Sequence, residues 1–294
     1  MIQVLKFKNK KHEVFFMILM PASLHVSLIA MKSFPKHNKL IIISNGLTKE
    51  ENIYLKELRT HTIFTCYSVL RHHIILNILF KYWKNNFGII DNDCFVRNSK
   101  VIDELMQIKD SELLASKYFI ESKLTNTNYD IPETFLMFFN IHNINYIRKK
   151  YSVSTRIYAL EKLPKKVITT FNKHNIKYPE PHKEYFDTLR VIFLLGHIEQ
   201  LTFSNIKSYA NVHGDINEVY HIGAMAKPQN FNSIYGFNGT YFWIKAIESC
   251  NDLTLEKIAR SKFDYPNSIS LVDNSEFKHK IPIEFLSAVN SILS

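Results

Sequence analysis

Two carboxylates separated by one residue, Asp91 and Asp93, directly follow the apolar run Phe87–Ile90. An unbroken apolar run of this length is typical of a buried parallel strand, and open α/β proteins bind their ligands at the edge of the sheet where such strands end. Paired oxygen ligands at that edge suit Mg²⁺ or Mn²⁺, which can bridge to a diphosphate. The alternative is an ordinary turn, because Asp-Asn-Asp is also favourable loop chemistry.

A second segment with chemically useful side chains has the sequence YHIGAMAKP. In it, His221 ends a predicted strand and offers an imidazole to a metal, while Lys227 offers an ammonium to phosphate oxygens. Gly223 leaves little side-chain bulk between them. Taken alone, His221 is better explained as a structural histidine, and Lys227 as a solvated surface charge. Together with Asp91 and Asp93 they predict a site for a metal and a diphosphate.

These motifs resemble those of the GT-A glycosyltransferases, specifically the bacterial relatives of the glycogenin and lipopolysaccharide glucosyl- and galactosyltransferase family. The shared features are the strand-terminal D-x-D, a following strand with an asparagine near its end at 135–140, and a late segment at 221–228 that is similar to the family's H-x-x-G-x-x-K-P. The resemblance spans roughly residues 14 to 230 in element order. The chain departs from the family pattern where Gly223 stands one position early, Ala224 replaces a glycine, and no tryptophan follows Pro228.

The resemblance implies a metal-dependent glycosyltransferase with a nucleotide-sugar donor. The metal, Mn²⁺ or Mg²⁺, would be held by Asp91, Asp93 and His221. Lys227 would neutralise the leaving phosphate, and Asp187 or a carboxylate of the segment around Glu133 would contact the sugar or act as a base. The residues expected to contact the bound donor are Pro21, Ala22, Ser23, Asn92, Gly223 and Lys227.

The resemblance also implies the acceptor and the setting. A glycan, lipid-linked or protein acceptor is expected, in bacterial surface polysaccharide synthesis and in the cytoplasm. The chain of 294 residues has 37 Lys+Arg against 27 Asp+Glu, and its net charge of +10 favours peripheral docking on the anionic inner face of a membrane. Its three cysteines are far apart and form no CxxC pair, which indicates a reducing compartment.

Two other classes of function remain open at the level of the sequence. The basic charge favours a nucleic-acid-binding protein, but no known nucleic-acid-binding motif occurs, so nucleic acid is not predicted as a partner. A metal-dependent nucleotidyltransferase would use the same acidic pair, because two carboxylates also hold catalytic Mg²⁺ there. That class gives His221 and Lys227 no role.

Hydrophobic patterning predicts an α/β fold of the GT-A, Rossmann-like type, with a mixed, mostly parallel sheet flanked by helices. Residues 1–245 are predicted to form the catalytic domain, and residues 246–294 a C-terminal helical extension of it. Strands are predicted at 14–20, 39–44, 62–65, 87–90, 116–122, 135–140 and 219–221. Helices are predicted at 24–34, 48–58, 69–83, 184–197, 253–262 and 283–293, with a further basic helix ending at 151.

Two segments allow different interpretations. The apolar run 14–31 superficially resembles a membrane anchor, but Pro21, Ser23, His25 and Ser27 interrupt it, and a buried strand followed by a helix is predicted instead. The aromatic segment 235–243 is predicted to be core, with a sugar-stacking acceptor platform as the alternative.

Overall fold

The structure is a computed structural model that describes residues 13–21, 23–59, 61–120, 122, 127–177, 184–205, 214–223, 234–261, 270 and 281–294. Its strands are β1 (Val14–Leu19), β2 (Leu40–Asn45), β3 (Thr62–Cys66), β4 (Phe87–Ile90), β5 (Cys94–Val96), β6 (Glu112–Ser116), β7 (Phe119–Ile120), β8 (Ile131–Pro132), β9 (Leu136–Phe139), β10 (Thr202–Asn205), β11 (Gly214–Asp215) and β12 (Val219–His221).

Seven of these strands form the central sheet, in the order β10-β6-β9-β4-β1-β2-β3. β1 to β4 run parallel to one another, β9 runs antiparallel to both β4 and β6, and β10 runs parallel to β6. Because β9 is reversed, its first residue lies beside the last residue of β4, Ile90 opposite Leu136. A small second sheet, β11-β12-β5, follows directly from the end of β4.

Helices cover both faces of the central sheet. They are α1 (Leu24–Ser33), α2 (Lys49–Glu57), α3 (His72–Tyr82), α4 (Lys100–Met106), α5 (Ile141–Tyr151), α6 (Lys165–Lys173), α7 (Arg190–Ile198), α8 (Ile234–Glu248), α9 (Leu253–Arg260) and α10 (Ile283–Leu293). Alternate residues of β1 point into two separate apolar layers, because side chains along a strand alternate between its faces. One layer holds α1, α8, α9 and α10, and the other holds α3, α5, α6 and α7.

The structure confirms the α/β class, the mainly parallel sheet and the C-terminal helix. The predicted helix at 48–58 is α2, and a capping box starts it: the Thr48 hydroxyl accepts from the Glu51 backbone N–H, and the Glu51 carboxylate accepts from the Thr48 backbone N–H. The run 14–31 forms β1 and α1. Within the described ranges, no helix is both long and apolar enough to cross a bilayer.

Three predicted elements differ from the structure. The helix predicted at 184–197 begins at Arg190, because Leu189 has a positive φ of 69° and interrupts the helical backbone; Asp187 therefore lies in the preceding loop. In place of the single strand predicted at 116–122, the chain forms β6, which runs from Glu112 to Ser116, and the two-residue strand β7 at Phe119–Ile120. The helix predicted at 69–83 is shorter, starting at His72.

The aromatic segment 235–243 is helical and belongs to α8. Phe242 and Trp243 are fully buried in the core, which confirms the core interpretation for these two residues. The predicted boundary between residues 245 and 246 falls inside α8, and the division into a catalytic domain and a helical extension stays a prediction.

His25 of α1 is a titratable group inside this core. Its ring is 3% exposed and lies edge-on to Trp243, with the ring centroids 4.5 Å apart. Burial lowers the pKa of His25 to about 3, against an opposing hydrogen bond to the Trp243 backbone. Below about pH 6.5, His25 therefore binds a proton in the unfolded chain but stays neutral in the folded protein.

We expect this difference to make unfolding easier as the pH falls from 7.5 to 5.5. The His25 contribution to the free energy of unfolding should drop by about 1.4 kcal/mol over that interval. Urea unfolding of wild type and His25→Gln at both pH values measures it, because the variant lacks this term. The exposed His142→Gln serves as the control. Equal pH dependence in wild type and His25→Gln would show that His25 titrates normally in the fold.

Candidate functional site

Asp91 is placed at the end of β4, at the carboxyl edge of the central sheet. Its backbone N–H donates to the Phe135 carbonyl of the neighbouring chain segment at 2.8 Å. Its own carbonyl accepts from Cys94 N at 3.1 Å, so residues 91–94 form a tight turn into β5. This turn presents both aspartates at one point of the sheet edge.

His221 reaches the same point through the small second sheet. β12 pairs antiparallel with β5, which sets His221 opposite Cys94, and Ile222 N donates to the Asp93 carbonyl at 3.1 Å. The buried Tyr118 hydroxyl donates to the Val219 carbonyl at 3.1 Å and supports β12 from the other side. Strand pairing therefore positions a histidine that is distant in sequence.

The three predicted metal ligands are close together. His221 Nε2 is 3.4 Å from Asp93 Oδ1 and 3.8 Å from Asp91 Oδ2. One ligand atom from each of the three residues lies within 4.8 Å of the others. The Asp93 side chain is 6% exposed and that of Asp91 34%, so the cluster is closed on one side and open on the other.

The electrostatics of this cluster favour a cation at its centre. Burial, with help from the nearby carboxylates of Asp93 and Glu133, raises the pKa of Asp91 to about 7, while His221 opposes the rise. Burial alone would lower the pKa of His221, but Asp93, Asp91 and Glu133 outweigh it and raise that pKa to about 9. The carboxylates thus stabilise a positive charge at the position of the imidazole.

Asn92, between the two aspartates, is buried and fixes the turn to α1. Its side-chain amide donates to the Ser23 hydroxyl at 2.7 Å and to the Ser27 hydroxyl at 3.2 Å. Ser23 is fully buried, and its hydroxyl donates to the Met20 carbonyl at the end of β1. Ser23 and Asn92 therefore position the acidic pair, and direct contact of either with a donor stays a prediction.

Three residues that adjoin the cluster add to it. The Phe135 ring stacks on His221, with centroids 4.4 Å apart and an interplanar angle of 16°. Glu133 is a carboxylate close enough to act on Asp91 and His221, and Arg190 Nη2 lies 4.0 Å from its Oε2. Arg190 is itself buried and donates to the Pro132 carbonyl.

Sequence analysis did not single out Arg190 or the Phe135 stacking. A usable signal existed for Arg190, because it is the one charged residue at the start of the apolar helix RVIFLLG. Such a residue is buried only when paired. No comparable signal marks Phe135, which the apolar run 135–140 makes look like any other strand residue.

The other predicted site residues fall in three places. Pro21 lies in the turn after β1, at the carboxyl edge, and Gly223 follows β12 with a positive φ of 78° that suits glycine. Asp187 is half-buried in the loop before α7, and its charge acts on His72 at the start of α3. Ala22 and Lys227 lie outside the described residues.

Comparison with known proteins links this geometry to a class. Residues 2–144, just under half of the chain, match the family model described as the StrH glycosyltransferase N-terminal domain. The match includes the Asp91–Asp93 turn and ends shortly after β9. It confirms the resemblance to GT-A glycosyltransferases, and the α/β fold class that this resemblance implies is the one observed. No curated protein matched the chain.

Several solved structures are similar to the chain. The galactosyltransferase LgtC, in complex with donor and acceptor sugar analogs, aligns over 82% of this chain and 97% of its own, with 12% identity and a TM-score of 0.45. The glycosyltransferase GlyE of Streptococcus pneumoniae TIGR4 aligns over 92% of this chain and 64% of its own, with 12% identity and a TM-score of 0.42.

A cytidylyltransferase from Leptospira borgpetersenii aligns over 92% of this chain and 97% of its own, with 11% identity and a TM-score of 0.39. All three TM-scores are below 0.5, so the function proposed below rests on the family match and on the residues of the site.

Proposed function

We propose that this protein is a divalent-metal-dependent glycosyltransferase that transfers a sugar from a nucleotide-sugar donor. The observation that carries the proposal is the convergence of Asp91, Asp93 and His221 within 4.8 Å at the carboxyl edge of the sheet. A nucleotidyltransferase would explain the two aspartates equally well. It gives no reason for a histidine from a separate sheet to complete the cluster.

The three proposed ligands, two carboxylates and one imidazole, suit Mn²⁺ or Mg²⁺. Carboxylate oxygens are ligands for both ions, and an imidazole ligand favours Mn²⁺. The cluster also carries surplus negative charge, since Glu133 adds a third carboxylate close by. Asp91 and Asp93 would hold the ion together with His221, and the bound ion would supply Lewis-acid stabilisation of the leaving diphosphate.

The chain's own residues supply the remaining functions. Stacking against the Phe135 ring fixes the orientation of the His221 imidazole, and Asn92 fixes the turn that carries both aspartates. Arg190 orients Glu133 towards the cluster. Lys227 would neutralise charge on the leaving phosphate, and Asp187 or Glu133 would bind the transferred sugar or accept a proton from the acceptor.

The acceptor proposed is a glycan, a lipid-linked saccharide or a protein, in bacterial surface polysaccharide synthesis. A cytoplasmic location with peripheral contact to the anionic inner membrane face is supported by the net charge of +10. Binding to anionic vesicles that weakens with added salt tests this contact, and absence of binding at low salt would exclude it.

The activity is tested as donor hydrolysis, in which water takes the sugar, with a panel of nucleotide sugars incubated with the protein and Mn²⁺, Mg²⁺ or EDTA. We expect release of a nucleoside diphosphate from one donor, only when metal is present. Consumption of a sugar phosphate and a nucleoside triphosphate with release of pyrophosphate would instead identify a nucleotidyltransferase.

Asn92→Ala tests whether the turn is held by α1. The change removes two hydrogen bonds and leaves the Ser23 and Ser27 hydroxyls short of a partner. We expect a loss of about 1–3 kcal/mol in the free energy of unfolding. Mn²⁺ affinity should fall by about 10–100-fold, as for other residues that orient metal ligands.

Isothermal titration with Mn²⁺ and urea unfolding provide the two measurements. Asn217→Ala is the matched control, because Asn217 is exposed and, among the described residues, its hydrogen bond is made by the backbone N–H rather than by the side chain. Unchanged Mn²⁺ affinity in Asn92→Ala would show that the aspartates keep their positions without this contact.

A further inference from the structure

A groove of about 1260 Å³ lies along α1 and shares no lining residue with the proposed metal ligands. Its walls come from α1, the loop before β2, the end of α2, the residues leading into β3, and the segment from the end of α8 to the start of α9. One end of the groove is therefore at the amino ends of β2 and β3. The aspartate turn is at the opposite, carboxyl edge of the same sheet.

The groove is strongly cationic at that amino end. Its lining includes Lys32, Lys36, Lys39 and Arg59, with His37 and His61 beside them. Within the described part of the chain, none of the four permanent cations forms an ion pair with a carboxylate. Four like charges around one concavity repel each other, and an anionic ligand would relieve that repulsion.

The carboxylates of Asp252 and Asp103, which lie close to the groove, already accept hydrogen bonds from other groups. Asp252 accepts hydrogen bonds from the Tyr54 hydroxyl and from the backbone of Thr254 and Leu255, where it caps α9. Asp103 accepts from His37 and from Asn38. Neither is left to neutralise the lysines, so among the described residues no carboxylate balances the positive charge of the groove.

The other end of the groove offers an unpartnered ring nitrogen. His25 lines it and is 3% exposed, and among the described residues the buried His25 Nε2 has no hydrogen-bond partner. Burial lowers the pKa of His25, so the ring is neutral. A nitrogen of a neutral imidazole either donates or accepts one hydrogen bond, and a hydroxyl group can supply the complementary partner in both cases.

The spacing between the two ends sets the size of a ligand that would reach both. His25 and Lys32 are seven residues apart on α1, which is about 10 Å along a helix. Between them the groove is lined by apolar side chains of Leu28, Ile29 and Leu255. Apolar surfaces of this kind contact the faces of sugar rings, and about 10 Å is the length of two rings.

We propose that this groove binds a phosphorylated oligosaccharide, with the phosphate held by Lys32, Lys36, Lys39 and Arg59 and a sugar hydroxyl bonded to His25 Nε2. The site is separate from the metal cluster and does not depend on the proposed transfer activity. Its ligand is defined by an anionic group at one end and uncharged hydroxyls at the other.

The test is isothermal titration of the full chain with trehalose 6-phosphate, inorganic phosphate and trehalose as probes. We expect trehalose 6-phosphate to bind more tightly than either of the other two. Lys36→Glu combined with Arg59→Glu should weaken its binding at least about tenfold, the loss of one charge-assisted hydrogen bond. Both residues are exposed, so the fold should tolerate the changes.

Lys100→Glu combined with Lys165→Glu is the charge-matched control, since both lysines are exposed and outside the groove. Equal weakening in the two double variants would reduce the effect to overall charge and overturn the proposal. So would equal affinity for inorganic phosphate and trehalose 6-phosphate, or no binding of either at millimolar concentration.

Discussion

Asp93→Asn should lower metal-dependent sugar transfer by about 10²–10³-fold, the scale seen when one charge-stabilising group is removed from an active site. Asp93 is the most buried of the three proposed ligands and lies 3.4 Å from His221. Asparagine keeps the volume of the side chain but removes the negative charge, so metal affinity falls while packing is retained. The measurement is the rate of nucleoside diphosphate release at saturating donor, with and without Mn²⁺.

Without metal, the melting temperature of Asp93→Asn should stay close to that of wild type, because the change relieves repulsion with Asp91 and also removes the carboxylate that most raises the pKa of His221. Asp110→Asn is the control, since Asp110 is exposed and its side chain contributes nothing to the cluster. A folded Asp93→Asn protein with wild-type turnover would exclude the aspartate pair as the metal site.

Phe16→Ala should cost about 3–5 kcal/mol in the free energy of unfolding, the range for removing a buried aromatic ring. Phe16 is 1% exposed on β1, and its ring packs edge-on against Trp83 at 5.1 Å and Phe87 at 5.4 Å between centroids. These three residues join β1, β4 and the end of α3. The cavity that Phe16→Ala leaves therefore lies beneath β4, the strand that leads into Asp91.

Urea unfolding measures this loss, and Tyr67→Ala is the control for removing an aromatic side chain. Tyr67 is 86% exposed, and its replacement should change stability by no more than about 0.5 kcal/mol. If Phe16→Ala cost as little as Tyr67→Ala, the two-layer core around β1 would be wrongly described.

The parallel half of the sheet could be predicted from the sequence because its strands are unbroken apolar runs bounded by turn residues. VFFMIL, LIIISN and FGII are buried on both faces, so the pattern and the structure coincide. The reversal of β9 could not be predicted. Its sequence LMFF is equally apolar, and direction is set by the partner strands rather than by local pattern.

Boundaries were predicted wrongly where local pattern and backbone conformation disagree. The apolar periodicity of residues 184–197 continues through Leu189, but its positive φ ends the helical geometry there. That conformation is fixed by tertiary contacts, since Leu189 is buried and its N–H donates to the Thr155 carbonyl. A sequence pattern carries no information about such a contact.

In the candidate site, too, local features could be predicted from the sequence and contacts between distant segments could not. The spacing of Asp91 and Asp93 after a strand is a local feature, and it was sufficient to predict their position. Their meeting with His221 depends on the pairing of β5 with β12, which no local pattern indicates; it was inferred from the residue types and the family resemblance. The hydrogen bonds from the Asn92 amide to Ser23 and Ser27 were not predicted, and contact of Asn92 with the donor stays a prediction.

The central claim is a metal-dependent nucleotide site formed by Asp91, Asp93 and His221. The most direct measurement is a thermal-shift panel of nucleoside diphosphates and nucleotide sugars, each with and without Mn²⁺, on wild type and Asp93→Asn. A ligand that binds only the folded state raises its stability by mass action. We predict stabilisation of wild type by one nucleotide only when Mn²⁺ is present, and none in the variant. Stabilisation that is the same without metal, or the same in Asp93→Asn, would contradict the account.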